Sequence, residues 1–271
     1  MNKAWKYLIV EPRGEVCWVT IDRPRDRNSI HSELMAELIE MVAQLEKTET
    51  RAVVFTGAGE SYFIGGADGI EMMQCDREGA KAFSARIQGL FSRMEASPLI
   101  LVAAINGLCF GGGFEFALAC DLRVASVKAR IGLPEVKVGL IPGGGGTQRL
   151  PRLVGFGRAM EMILSGRLFK GIEAAEMGLV HRVVEPEHLS DGVDQLLKPV
   201  LRQPQYALAL AKGAVHAYRS GSLEQGLETE SEQFSRCFEH PFFPDLMVKQ
   251  LDDGTLETTA DISGLKGVKK K

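Results

Sequence analysis

The sequence predicts a mixed α/β chain that becomes almost wholly helical towards its C-terminus. Three observations predict it. A strand-like run is followed by a helical one in three successive places: residues 6–22 then 32–47, 51–56 then 78–95, and 99–105 then 112–120. The run LILVAAI at 99–105 is apolar throughout, as a strand buried on both faces requires. Beyond Val183 and Val184 only helical spacing recurs, at 187–198, 205–218 and 223–237. The character changes near residue 190, so the expectation is an α/β core over 1–190 and a helical region over 191–271. No repeat of fixed period is visible; what repeats is the order of elements.

Each element has its own signal. Residues 6–11 and 15–22 are β-rich, and Pro12, Arg13 and Gly14 supply the turn of a hairpin. RPRDRN at 23–28 breaks the pattern, after which Leu34, Leu38, Val42 and Leu45, with Met35 and Ile39, repeat at helical spacing as far as about Lys47. RAVVFT at 51–56 is a short strand ending at Gly57, followed by a loop over 58–68 and a helix over 78–95. The strand 99–105 closes on Asn106 and Gly107, and a helix starts at the triple glycine 111–113 and runs to Cys120. Residues 122–125 and 130–132 read as short strands. After Pro142 and the four glycines 143–146, helical periodicity returns at 159–164 and 173–177. The closing GLKGVKKK reads as a solvated basic terminus.

Composition narrows the function classes. Hydrophobic residues make up 45% of the 271 and charged residues 25%, the balance of a soluble globular protein. A net charge of −3 favours neither nucleic acid nor an anionic membrane as partner. No apolar run approaches the roughly 18 residues of a membrane helix. The opening MNKAWKYLIVEP has no apolar signal core, so a cytoplasmic location is expected. Cys17, Cys75, Cys109, Cys120 and Cys237 are odd in number and scattered without CxxC or zinc spacing, so no disulfide framework or metal is expected, and all five read as small buried hydrophobes. His31, His181, His188, His216 and His240 fall in no motif and read as surface or satisfied residues.

The remaining signal lies in two glycine turns and two glutamates. Neither glycine cluster completes GxGxxG, since the last position is Phe116 in one and Gln148 in the other. GxxxxGK[ST], GxSxG and HExxH are likewise missing, which removes motif support for nucleotide cofactors, serine hydrolysis and zinc proteolysis. Glycines 111–113 opening a helix expose unpaired N–H groups at its positive end, and Gly65-Gly66-Ala67-Asp68 is a second glycine turn after apolar sequence. Two such donors aimed at one oxygen form an oxyanion hole, where loss of one donor costs about 3–4 kcal/mol of barrier. On spacing alone the plainer account, glycines that merely permit tight packing, is the stronger of the two. A lone glutamate on a helix is usually solvated. Glu115, however, is flanked by Phe114, Phe116, Ala117 and Leu118, and Glu135 follows Pro134. Carboxyls in apolar surroundings hold their protons to higher pH and can exchange them near neutrality.

INGLCFGGGFEFALACDLRVAS, IGLPEVKVGLIPGGGGTQRLPRLVG and FIGGADGIEM resemble the enoyl-CoA hydratase/isomerase (crotonase) superfamily. The likeness extends through ILSGRLFKGIEAAEMGLVHRVV and upstream through VTIDRP with Asn28, covering roughly residues 5–240. It implies a spiral of repeated ββα units, with C-terminal helices that complete the site and form trimer contacts in a homotrimer or dimer of trimers. It implies acyl-CoA thioester substrates and a thioester enolate held by two backbone N–H groups, which by motif are those of Ala67 and Gly112. Asp68, Gly69 and Ile70 would line the acyl-CoA path with these two. Glutamate at both acid/base positions, Glu115 and Glu135, resembles the hydratases, which add water syn across an α,β-unsaturated thioester. Glu115 is then assigned to the water and Glu135 mainly to the Cα proton. No metal or redox cofactor is implied, because coenzyme A arrives with the substrate. Three departures stand out: Ile70 where a lysine is common, Leu133 where a glutamine is common, and HPFFPDLM at 240–247 in place of an acidic-Glu-Gly segment. They point to an altered CoA contact, a less polar wall and a changed acyl pocket or lid.

Two other readings stay open on the sequence. One keeps the fold and makes the enzyme an acyl-CoA isomerase, decarboxylase or hydrolase, although such isomerases often manage with one acid/base residue. The other is a non-catalytic binding protein, including an RNA binder; Glu33, Glu37, Glu40 and Glu46 against Lys47 on the first helix weigh against RNA.

Overall fold

In the computed structural model, which describes residues 4–218, 221–252 and 254, Leu8–Arg13 (β1) and Val16–Ile21 (β2) form the expected antiparallel hairpin. The turn falls later than 12–14. Pro12 and Arg13 pair with Cys17 and Val16, and Gly14 turns the chain at a φ of +64° that glycine adopts without steric cost. Pro12 is tolerated because β1 is an edge strand.

Ser32–Leu45 (α1) follows, burying Leu34, Met35, Leu38, Met41, Val42 and Leu45 on one face. Next come three strand pairs, each member of a pair going to a different sheet. Ala52–Gly57 (β3) precedes Tyr62–Ile64 (β4), after which Gly69–Met73 (α2) and Arg77–Glu95 (α3) run back over the core. Ile100–Ile105 (β5) precedes Leu108–Phe110 (β6) and Gly112–Ala119 (α4). Leu122–Ser126 (β7) precedes Arg130–Gly132 (β8), then Gly146–Val154 (α5) and Phe156–Ser165 (α6). Phe169–Lys170 (β9), Gly171–Glu176 (α7), Arg182–Val184 (β10) and Leu189–Val200 (α8) close the set.

The larger sheet has the order β1-β2-β3-β5-β7-β10, parallel from β2 onward. The smaller has the order β4-β6-β8-β9, with only β9 antiparallel. Successive ββα units therefore advance both sheets one strand at a time, which is the spiral implied by the family resemblance. Of the small-sheet strands only β8 is expected from the sequence; β4, β6 and β9, two or three residues each, lie directly against glycines that read as loop.

The large sheet separates two cores. Val53, Phe55, Leu101, Ala103 and Ile105 face one, shared with α1, α3 and α4. Ala52, Val54, Ile100, Val102 and Ala104 face the other, closed by Leu189, Val193 and Leu197 at four-residue spacing on α8. This double burial explains why β5 reads as an unbroken apolar run.

The chain divides into two units, Met1–Ala209 and Leu210–Lys271. The first holds both sheets. In the second, Leu223–Arg236 (the helix after Gln205–Ala217, α9, and hence α10) is capped by Ser222, whose Oγ accepts from the Gln225 amide while Gln225 Oε1 accepts from the Ser222 amide. Phe234, Phe238 and Phe243 meet edge to face, linking α10 to Phe242–Asp252 (α11). The 240–247 departure thus folds largely as the start of a helix. The basic tail at 264–271 lies outside the described residues. Among the described residues no helix is long and apolar enough to cross a membrane, and no cluster of acidic, histidine and cysteine side chains could hold a metal ion.

Two side-chain expectations need correction. Cys75 and Cys237 are only half-buried: each follows a helical turn and directs its thiol back to a main-chain carbonyl, of Glu71 and Gln233 respectively. His31 is neither exposed nor satisfied, since its Nδ1 is buried without a hydrogen-bond partner. Burial lowers its pKa, and its ring packs edge-on against Tyr7 at 4.5 Å.

Candidate active site

The first donor arises from a single parallel bridge between Ile30 and Ala67. In it Ile30 N–H donates to Gly66 O at 2.9 Å, and Asp68 N–H donates to Ile30 O at 2.8 Å. The N–H of Ala67 takes no part in that exchange. Gly66, at a φ of +97°, turns the main chain at this point.

The second donor sits where β6 gives way to α4. Gly111 N–H is anchored on Gly132 O at 3.0 Å, and Gly111 adopts a φ of +56° that reverses the peptide. Gly112, first residue of α4, has no carbonyl one turn earlier in the helix to accept its N–H. A β-carbon added to Gly112 would stand 2.9 Å from Ala67 N, so the two chain segments lie against each other with no side chain between them. At Gly113 an added β-carbon would instead collide with Ile64 O. Glycine at 113 therefore permits packing against β4, and glycine at 112 lets the main chain lie directly against Ala67.

Every residue of α4 is buried. Phe116 fixes its rotation, meeting Phe55, Phe91 and Phe63 edge to face with centroids 5.0, 6.0 and 6.1 Å away. That rotation directs Glu115, only 2% exposed, towards the glycine loop 143–146. Its Oε1 accepts the amides of Gly144 at 2.8 Å and Gly146 at 2.7 Å. Burial raises the pKa of Glu115, while these amides and then Arg149 pull it back towards ionisation.

Glu135 opens a 3-10 turn after Pro134. Its Oε2 is buried and has no hydrogen-bond partner, and a β-carbon on Gly111 would lie 3.3 Å from its Oε1. Burial lifts its pKa to about 7; its own amide opposes the rise, and the nearby Glu115 carboxylate adds to it. The two acids thus feel each other's charge, with Glu135 standing over the peptide that presents the Gly112 amide.

The structure brings Gly112 against Ala67 and Glu135 against Gly111, with Glu115 near enough for its charge to act on Glu135. Asp68 is occupied elsewhere: it caps α2 by accepting from Ile70 and Glu71 amides at 3.0 and 3.2 Å, and pairs with Arg23 at 3.1 Å. Burial alone would raise its pKa, but the Glu71 amide, Arg23 and Ser29 hold it below its ordinary value. Gly69 begins α2 in open surroundings, and Ile70 is 66% exposed. Sequence reasoning missed the groups that hold the 143–146 loop. Ser84 Oγ and Gln88 Nε2 donate to Gly143 O at 2.7 and 2.8 Å, and Arg149 Nη1 donates to Gly144 O at 2.9 Å. These partners are up to 59 residues apart in sequence and share no local pattern.

A two-sheet ββα spiral of this kind is the fold of solved enoyl-CoA hydratases. The chain belongs to the enoyl-CoA hydratase/isomerase family, whose model matches residues 11–243. It is 37% identical over 251 residues to the short-chain-enoyl-CoA hydratase of Clostridium acetobutylicum, covering 92% of this chain and 96% of that protein. It is 34% identical over 236 residues to the crotonyl-CoA hydratase of Syntrophomonas wolfei, covering 87% and 91%. The crystal structure of enoyl-CoA hydratase from Bacillus anthracis superposes with a TM-score of 0.84 at 34% identity, covering 90% of this chain and 96% of that one.

Proposed function

We propose that the protein is an enoyl-CoA hydratase, adding water syn across the double bond of an α,β-unsaturated acyl-CoA. The observation that carries the reading is a pair of buried carboxyls that feel each other's charge, one of them, Glu135, against the glycine turn where Gly112 meets Ala67. Relatives of this chain bearing hydratase names support it.

In the proposed reaction the thioester oxygen accepts from the N–H groups of Ala67 and Gly112. An ionised Glu115 takes one proton from water as its oxygen bonds to Cβ. The π pair moves onto the thioester oxygen as an enolate, which the two amides stabilise. Collapse of the enolate takes a proton from Glu135 to Cα. A proton then passes from Glu115 to Glu135 to restore the starting state. The difference in partners supports this division: burial raises both pKa values, but the loop amides and Arg149 oppose the rise at Glu115, whereas Glu135 is lifted to about 7 with its Oε2 unpartnered. The reaction as written uses no cofactor, the coenzyme A being part of the substrate. Asp68 and the start of α2 support an acyl-CoA path along 67–70 by fixing the chain there.

We assign the active site to residues 1–190 and to 191–271 the completion of the site and subunit contacts, in a homotrimer or dimer of trimers located in the cytoplasm. Support for assembly comes from exposed apolar side chains at Val138, Ile141, Phe156 and Leu164, and at Leu223, Phe234 and Phe238. Light scattering in solution tests the stoichiometry. Incubation with crotonyl-CoA tests the activity: loss of the conjugated-thioester absorbance with formation of 3-hydroxybutyryl-CoA is expected. Migration of the double bond in a 3-enoyl-CoA without hydration of the 2-enoyl-CoA would make the protein an isomerase instead.

A further inference from the structure

The loop Gly143–Gly146 contains three consecutive peptides whose N–H groups all act on Glu115: those of Gly144 and Gly146 by hydrogen bonds, that of Gly145 by a further pull on its charge. In a trans peptide the N–H and the preceding C=O point in opposite directions, so an anchored carbonyl dictates where the next amide points. All three carbonyls are anchored. Gly143 O accepts from Ser84 and Gln88 of α3. Gly144 O accepts from Arg149, whose Nε and Nη2 bind Glu95 Oε1 and Oε2, each at 2.8 Å. Gly145 O accepts the amides of Gln148 and Arg149 as α5 begins. Gly145 has a φ of +104°, and an added β-carbon at Gly144 would stand 2.6 Å from Glu115 Oε2. The loop therefore fits against the carboxylate only as glycine.

We infer that Ser84, Gln88 and the Arg149–Glu95 pair are positioning residues that set the proton affinity of Glu115 by aiming the Gly144–Gly146 amides at it. The Arg149–Glu95 pair is built to hold a fixed geometry, since both side chains are largely buried, at 12% and 16% exposure, and Glu95 ends the long, core-packed α3. The fork geometry of arginine holds two carboxylate oxygens and still leaves Nη1 for Gly144 O, which lysine cannot reproduce. The charged groups facing Glu115 are Arg149 from α5, Glu135 from the 3-10 turn and, through Arg149, Glu95 from α3. At the far end of α4, Arg123 binds the carbonyls of Ala117 and Cys120. The inference rests on the hydratase reading for its consequence in turnover, though not for its consequence in the titration of Glu115.

Two neutral changes, Ser84→Ala with Gln88→Ala, free Gly143 O without altering charge; Arg149→Lys keeps the charge and loses the fork. In both, the acid limb of the kcat/KM profile should move up by about one pH unit, so that the rate falls by up to about tenfold on that limb and less above it, with KM for crotonyl-CoA changing less than about twofold. Infrared difference titration, with the Glu115 band identified by its loss in Glu115→Gln, should show the same upward shift without substrate. An unshifted Glu115 band in folded Ser84→Ala/Gln88→Ala protein would overturn the inference, as would a loss confined to KM. If the wild type failed to hydrate any enoyl-CoA, the hydratase reading would fall, and the infrared titration alone would decide whether these residues position Glu115.

Discussion

Glu115 projects from a helix buried along its length, its carboxyl socketed in the amides of a clamped glycine loop, whereas Glu135 begins a short 3-10 turn and leaves one carboxyl oxygen without a partner. Both are pushed by burial towards the protonated form. At Glu115 three loop amides and the Arg149 cation offset that push, whereas at Glu135 its own amide alone does so and the Glu115 charge adds to the rise. Two identical side chains can thus be given different hydrogen-bond surroundings within one buried site, the means by which carboxyls come to differ in proton affinity.

The largest expected effects come from removing either member of the pair. Glu115→Gln and Glu135→Gln should each lower kcat by roughly 10²–10⁴-fold, measured as initial rates on crotonyl-CoA. An equal loss from both at every pH would erase the distinction between them. Next comes the donor pair. Gly112→Ala places a β-carbon 2.9 Å from Ala67 N, and kcat should fall by about 10²–10³-fold with the circular dichroism spectrum retained.

A smaller effect of Glu135 is expected in stability. Glu135 binds its proton more tightly in the folded chain than in the unfolded one, with a pKa of about 7 against an ordinary 4.5. The folded state therefore holds more protons than the unfolded state between those values, and stability falls as pH rises through that window. Glu135→Gln stays neutral and escapes the fall, by at most roughly 3 kcal/mol. Its melting temperature relative to wild type should rise between pH 5 and pH 8 in thermal scans. A constant difference would mean that Glu135 ionises in the folded chain as readily as in water. Smallest is the control Gly14→Ala, at a φ of +64° in the hairpin turn with open space around it. It should cost about 1–2 kcal/mol in denaturant titration and leave kcat/KM unchanged.

How far the sequence disclosed this site follows from the range of each interaction. β5 and α1 were legible because burial writes a local pattern, six apolar residues in a row or apolar residues at helical spacing. Strands β4 and β6 were hidden in apparent loops because each is only three residues long and runs straight into a glycine turn, at Gly65-Gly66 and at Gly111–Gly113. Helix α5 was hidden by the glycines at its start and Pro151 within it, although Arg149 and Leu150 tie it into the core. Glu115 and Glu135 could be singled out from their apolar and proline neighbours and from the family resemblance. The family resemblance put Asp68 on the ligand path, but its motif gave no sign that the carboxylate pairs with Arg23 and caps α2. The socket of Glu115 was invisible, because Ser84, Gln88 and Glu95 reach the 143–146 loop only through the fold.

The most direct test of paired action is a double-mutant cycle on turnover of crotonyl-CoA by wild type, Glu115→Gln, Glu135→Gln and the double variant. If both carboxyls act in one transition state, the double variant should be little worse than the poorer single variant. Losses that multiply across the cycle, or near-wild-type turnover from either single variant, would contradict the account.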